Sequence, residues 1–471
     1  MTRLLIFATA SLLAGCSIPA ATPRLAPKAA PDLGLVGAPA PAIEREWWRA
    51  FGDPQLDRIV ADALSGNPTL DVALARVRQA EAVLGQRNAE ARPELSADVT
   101  PQEQRLSGAY IIPPPYGGTV RFVGTAQANL SYNLDLFGRQ KAVIAAARAD
   151  VRAAGFDVEA ARLMLAGSVV QAYADLSRAE RQAGIARDTV AARQGNLRLV
   201  EVRVRNRLAS RLDSQAASTL LAQARAAQIA AEGARVLATD ALAALAGRGV
   251  DYPATIAATR LGSAAPPLPV VIPADLLARR ADIAAAQARI EAALAGRQVA
   301  RRAYYPNINL TALAGLQALG LGNVFTTAAF TAGVGAAVHL PIFEGGRLRA
   351  GLEGATAAVD LATAQYNDRV LGAVRDTADA LARIRSLDNQ RLRQAEGVRG
   401  YAETGRLNDV RVRSGLESRL DTIDNDVRLL DARLTDADLL TDALVARVQL
   451  ILALGGGFTP APSAPAQGSS R

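Results

Sequence analysis

Arg203 to Asp213 read RVRNRLASRLD, and Arg411 to Asp421 read RVRSGLESRLD; eight of the eleven positions agree, at an offset of 208 residues. The agreement continues outward from this motif. Ala75-Arg76-Val77 returns as Ala288-Arg289-Ile290, and Pro93 as Pro306. Phe137-Gly138-Arg139 returns as Phe343-Glu344-Gly345-Gly346-Arg347, and Ala246-Gly247 as Leu454-Gly455. Matches in a fixed order mean two copies of one structural unit, here 47–260 and 261–457.

The segments before the motif, 139–203 and 347–411, hold no Pro and no turn cluster. Each predicts a helix of about 65 residues, on the order of 100 Å at 1.5 Å per residue. Shorter return helices follow at 211–245 and 419–454, so the motif is the turn of an antiparallel helix pair, at the end far from the strands. Gly155, Gly167, Gly184, Gly372, Gly397, Gly400 and Gly405 weaken the long helices, and bends or a break are expected there. Asp53-Pro54 and Asn67-Pro68 pair a capping residue with Pro at the first helical position. Asp275 and Asp282 hold comparable places in the second copy.

Between these helices the period changes to two. From Val120 to Asp135, Phe122, Gly124, Ala126, Ala128, Leu130, Tyr132 and Leu134 fall on one face. Arg121, Val123, Thr125, Gln127, Asn129, Ser131, Asn133 and Asp135 fall on the other, where only Val123 breaks the polar side. Residues 307–316 and 330–340 alternate in the same way, and no Asp, Glu, Lys or Arg occurs between Arg302 and Glu344. Transmembrane helices would show neither this period nor this Gly content. Apolar-out, polar-in strands are the pattern of an outer-membrane barrel. The hairpins span about 95–136 and 307–343, and four strands cannot close a barrel, so several copies must share one. The expected fold is an α+β membrane protein: long antiparallel α-helix pairs joined to a transmembrane β-barrel shared among several chains.

Residues 1–15 read as a signal peptide, with a basic start and a short apolar run ending at Leu13-Ala14-Gly15-Cys16. Those four residues resemble a bacterial lipobox, which implies a covalent lipid on Cys16; the alternative is an ordinary signal peptide with an incidental cysteine. Cys16 is the only cysteine, so intramolecular disulfides are excluded. Residues 16–46, rich in Pro and Ala, read as a flexible lipidated tether, and 458–471 as a disordered tail.

The net charge of +8 invites a nucleic-acid reading. Its Arg residues are interleaved with Asp and Glu along helices, however, as on a solvated helical face, and an exported protein does not meet nucleic acid. One His and no phosphate loop or metal-spaced cluster leave an enzyme without machinery, so no catalytic residue, metal or other cofactor is expected.

Trp47-Trp48 through Phe51-Gly52-Asp53-Pro54-Gln55-Leu56, Asn129 to Arg139, Pro273 to Ile283, Tyr304 to Ile308, Leu340 to Arg347 and Leu454 to Gly457 together resemble the TolC-like outer-membrane efflux proteins, specifically the OprM and NodT lipoprotein branch. The chain departs from that pattern at Ala281, where the family usually has Pro, and at Arg207, where it usually has Gly. The resemblance implies a homotrimer in the bacterial outer membrane, anchored by lipid and extending into the periplasm, with a long antiparallel α-helical coiled-coil barrel and a transmembrane β-barrel shared among three chains. It would be the exit duct of a tripartite efflux system, passing drugs or toxic solutes from an inner-membrane pump of RND type through a periplasmic membrane-fusion adaptor.

The resemblance aligns Asp421 and Asp424 with a periplasmic constriction, where threefold symmetry would set six carboxylates around one pore and attract cations. Capping of the helix by Asp421 is the competing reading and is compatible with lining. Asp213 holds the equivalent first-copy position. Arg411, Arg413 and Arg419 would bridge neighbouring tips, or simply pair on the surface. Leu208, Ala209 and Ser210, with Gly415, Leu416 and Ser418, would form the adaptor-docking tips. The remaining alternatives are a type I secretion duct and a periplasmic helical adaptor or scaffold lipoprotein; the scaffold reading leaves the strands and the duplication unexplained.

Overall fold

The computed structural model describes residues 21–35, 43–109, 112–261, 269, 271–416 and 419–459, without the side chains of 419–421. Cys16, the leader 1–15, Ser418 and all of the tail beyond residue 459 lie outside the described residues. In chain order the elements are α1 (Pro54–Gly66), α2 (Pro68–Ala89), β1 (Glu94–Arg105), β2 (Val120–Leu134), α3 (Arg139–Arg205) and α4 (Arg211–Leu245). The order then repeats: α5 (Ala281–Arg302), β3 (Asn307–Leu319), β4 (Phe330–His339), α6 (Arg347–Arg413) and α7 (Arg419–Ala453). α3 and α6 each run 67 residues as one uninterrupted helix. The break expected at their glycines does not occur: a helical Gly costs only about 1 kcal/mol relative to Ala, which a long run of good helix formers outweighs.

The chain forms two compact units, each drawn from both copies. One comprises the described residues within Met1–Pro27, Arg76–Ala154 and Ala285–Tyr366; the other, those within Lys28–Ala75, Gly155–Ala284 and Asn367–Arg471.

The first unit contains a four-stranded antiparallel sheet in the order β1-β2-β3-β4. Its register keeps like with like. Leu95, Leu130, Ala312 and Val334 lie across from one another on one face. Ser131 opposes Thr311 and Asn133 opposes Asn309 on the other, and Asn129 donates to Asp98 across β1 and β2 at 2.8 Å. The apolar face is open: Leu95, Val99, Val334 and Val338 are exposed. β1 and β4 are edges, and Pro101 is tolerated on the first. Residues 21–27, within the stretch read as a flexible tether, follow a defined course: Arg24 and Leu25 donate backbone N–H groups to Asp360 at 2.7 and 3.0 Å. Composition alone missed this, because the order comes from an acceptor far away in sequence.

In the second unit the core starts at Trp47, Trp48 and Phe51, all buried, with the two indoles edge-to-face at 5.8 Å. α1 buries Leu56, Ile59, Val60 and Ala63, the i, i+3, i+4, i+7 stripe of an amphipathic helix. Asp53 caps it by accepting from the Gln55 N–H at 3.0 Å, and the buried Tyr173 hydroxyl donates to its other oxygen at 2.6 Å.

The duplication is visible in one joint. Asn67 Nδ2 donates to the Leu245 carbonyl at 2.8 Å, and Arg280 Nη1 donates to the Ala453 carbonyl at 2.9 Å. Beside these bonds Gly247 and Gly455 adopt φ of +66° and +89°. A Cβ at either would lie 2.1 Å from Gly66 O or 1.9 Å from Arg279 O, so the backbone approach itself demands glycine.

Candidate functional site

Both helix-pair turns use one backbone device. At the first, Leu208 N–H donates to Arg203 O at 2.8 Å and Arg207 N–H to Val204 O at 3.0 Å, with Arg207 left-handed at φ 61°. At the second, Leu416 N–H donates to Arg411 O at 2.9 Å and Gly415 N–H to Val412 O at 3.1 Å, with Gly415 at φ 71°. This is the Schellman closure, which satisfies the last carbonyls of a helix. It explains why the tip motif repeats: the closure and the leucine after it are one construction at both tips.

Ser210 then opens α4. Its Oγ accepts from the Asp213 N–H at 3.3 Å, while Asp213 Oδ2 accepts from the Ser210 N–H at 2.8 Å, a reciprocal capping box. The backbone bond from Ser210, then its hydroxyl, holds the Asp213 carboxyl below the usual carboxylate range. Leu208 and Leu416 stand out from the two turns, 68% and 73% exposed, with Ala209 half-buried beside the first.

Asp424 is exposed on the first turns of α7 and pairs with Arg428 at 2.8 Å. Thr422 and Ile423 beside it are buried, so Asp424 faces away from the packing side. Arg413 Nε donates to the Asp409 carbonyl, and Arg411 and Arg413 close the last turn of α6, where cations suit the helix C-terminus. The side chains of Asp421 and Arg419 and all of Ser418 lie outside the described residues, so the structure does not bring the Asp421 and Asp424 carboxylates together in view. Among the described residues no group of three or more His, Cys, Asp or Glu is placed to hold a metal, and no helix is long and apolar enough to cross a membrane.

The described residues thus hold a sheet with one open apolar face, one polar face and two edge strands, and two helix pairs with matched tips. The sequence profile described as "Outer membrane efflux protein" matches residues 59–248 and 272–456, most of the chain and both copies. The chain belongs to the outer membrane efflux protein family. Among curated relatives, it is 34% identical to the fusaric acid resistance protein FusA of Burkholderia cepacia, over 90% of this chain and 81% of that one. It is 32% identical to the pyoverdine export outer membrane protein OpmQ of Pseudomonas putida, over 95% and 96% of the two chains. Among solved structures, the outer membrane protein VceC from Vibrio cholerae superposes with a TM-score of 0.79 at 30% identity, covering 88% of this chain and all of that one.

This efflux protein is therefore an outer-membrane channel and catalyses no reaction. Its fold is that of the TolC-like channels, in which a helical barrel and a transmembrane β-barrel are built by three chains together. Sequence reasoning reached the tips and the strands but missed the joint at Asn67 and Arg280. The signal was available: these residues stand 213 apart, as do Ala75 and Ala288.

Proposed function

We propose that three copies of this chain close one β-barrel in the outer membrane and one helical tunnel below it, each copy comprising the repeats 47–260 and 261–457. The assembly is tethered through a lipid on Cys16 and extends into the periplasm. It serves as the exit duct for an RND-type inner-membrane pump, joined through a periplasmic adaptor that docks on the tips at Leu208, Ala209, Ser210, Gly415, Leu416 and Ser418. The substrates are drugs or toxic solutes, in keeping with relatives named for multidrug resistance, fusaric acid resistance and pyoverdine export. One observation carries the three-chain reading: a four-stranded sheet with both edges unpaired and its apolar face open is not stable in lipid unless other strands complete it. The native mass of the protein extracted from outer membranes in mild detergent tests it; three lipidated chains are expected, and a stable monomer would sink it.

Asp421 and Asp424, with a contribution from Asp213, form the cation-attracting constriction of this duct, and Arg411, Arg413 and Arg419 bridge neighbouring tips when it is closed. The exposed position of Asp424 on the face opposite its buried neighbours supports this. Replacing Asp421→Asn and Asp424→Asn together should lower cation selectivity; unchanged reversal potentials in a salt gradient would remove both residues from the gate.

A further inference from the structure

At the foot of the sheet, where β2 and β4 end and α3 and α6 begin, the first unit holds a partly open cavity of about 170 Å³. Asn133, Asn307 and His339 line it from the polar face of the strands. Arg139, Arg302 and Arg347 line it from the helices. Two carboxylates border it, and both are engaged. Asp135 accepts the backbone N–H groups of Gln140 and Lys141 at 3.0 and 2.8 Å, capping α3. Glu344 is paired with Arg347. Arg302 spends one N–H on the Gly138 carbonyl and keeps the rest of its fork. Arg139, which is exposed, has no hydrogen-bond or ion-pair partner among the described residues, so its guanidinium is uncommitted at the cavity rim. Beside these charges the rings of Phe137 and Tyr305, which also line the space, stack at 5.0 Å with planes 15° apart.

We infer that this cavity binds solutes in which a carboxylate is carried on an aromatic ring. Arginine presents a fork that matches a carboxylate. The ring pair offers an apolar wall that a small inorganic anion would leave wet. The volume suits the ring as well, since a cavity of roughly 150 Å³ holds benzene. The inference rests on the reading that the polar sheet face lines the channel, and it adds a waypoint where the strands give way to the tunnel. Positive side chains that line a pore favour anions there, in contrast to the carboxylates at the tips.

The test is equilibrium dialysis of radiolabelled benzoate against the full-length channel in mild detergent, with empty micelles subtracted. Saturable binding of one benzoate per chain is expected, with benzamide, the neutral isostere, held about tenfold more weakly because it lacks the charge-assisted pair. Arg139→Gln should weaken benzoate by about the same factor. Arg301→Gln, one residue from Arg302 and outside the cavity lining, should leave it unchanged. Equal binding of benzoate and benzamide, or an unaltered Arg139→Gln variant, would overturn the assignment. So would displacement by inorganic phosphate at concentrations equal to benzoate, which would mark a general anion site. Light scattering on the same sample reports the number of chains separately, so a monomer would count against the three-chain duct while benzoate binding is still scored on its own.

Discussion

α4 and α7 are the same element in two copies, each 35 residues long and opened by the same S-R-L-D sequence, yet they live in different surroundings. α7 is fastened on both flanks. Asp442 and Asp438 meet Arg178 and Gln182 of α3 at 3.0 and 2.7 Å, and Arg447 and Gln449 meet Asp388 and Arg383 of α6. It buries Ile423, Leu430, Val448, Leu450 and Ile451. Among the described residues the side-chain hydrogen bonds of α4 stay within the helix and its cap, and Leu212, Ile229, Val236 and Leu237 are exposed. A duplicated sequence therefore does not mean a duplicated environment. One copy lies between two helices of its own chain; the other is a flank with an apolar face turned outward, as expected of a surface that awaits a neighbouring chain.

The largest effect should come from the buried member of this pair. Leu450→Ala, at a position with no exposure, should cost about 2–5 kcal/mol in denaturant unfolding of the second unit. Leu237→Ala, at 71% exposure, should cost under about 0.5 kcal/mol in a dissociated chain. If the flank is a chain-to-chain surface, Leu237→Asp should instead shift the native mass toward monomer. Equal unfolding costs for the two alanine variants would erase the contrast between α4 and α7.

A smaller effect separates the two tips. Arg207 adopts the left-handed conformation that Gly415 adopts at the matching position, and a side chain there is strained. Arg207→Gly should raise stability and Gly415→Ala should lower it, each by about 1 kcal/mol, read as opposite shifts in melting temperature. Shifts of the same sign would mean that the first tip draws support from Arg207 itself.

An effect of similar size concerns the foot of α4. There Tyr252 donates to Asp62 at 2.6 Å and Arg248 pairs with the same carboxylate at 3.0 Å. Burial, then the Asp62 carboxylate, pushes the Tyr252 phenol up from 10.0 to about 12. Its contribution is therefore whole below pH 10.0 and fades as pH climbs toward 12. The Tyr252 bond first, with Arg248, holds Asp62 below 3.8, so its share is present above that pH and lost as the solution becomes more acid. Tyr252→Phe should remove the alkaline loss and cost on the order of 1 kcal/mol near neutrality. An unchanged alkaline limb would show that this bond does not hold the foot.

Periodicity and spacing alone determined the long helices, the tips and the alternating strands. Those features depend on neighbours within a few residues: RVRxxLxSRLD encodes a helix end, a left-handed turn and a cap, and a period of two encodes a sheet with two unlike faces. The family resemblance was likewise carried by short local stretches. Tertiary structure alone decided everything that depends on distant partners. No local rule sets α4 on a flank and α7 between neighbours, because both read alike until α3 and α6 are placed. Asp360 ordering residues 24 and 25, and glycines 247 and 455 pressed against backbone from another helix, follow from approaches between segments far apart in sequence. The cavity that Arg139 and a stacked ring pair line together follows in the same way: each residue is ordinary in sequence, and only the meeting of strand ends with helix starts makes them a cavity.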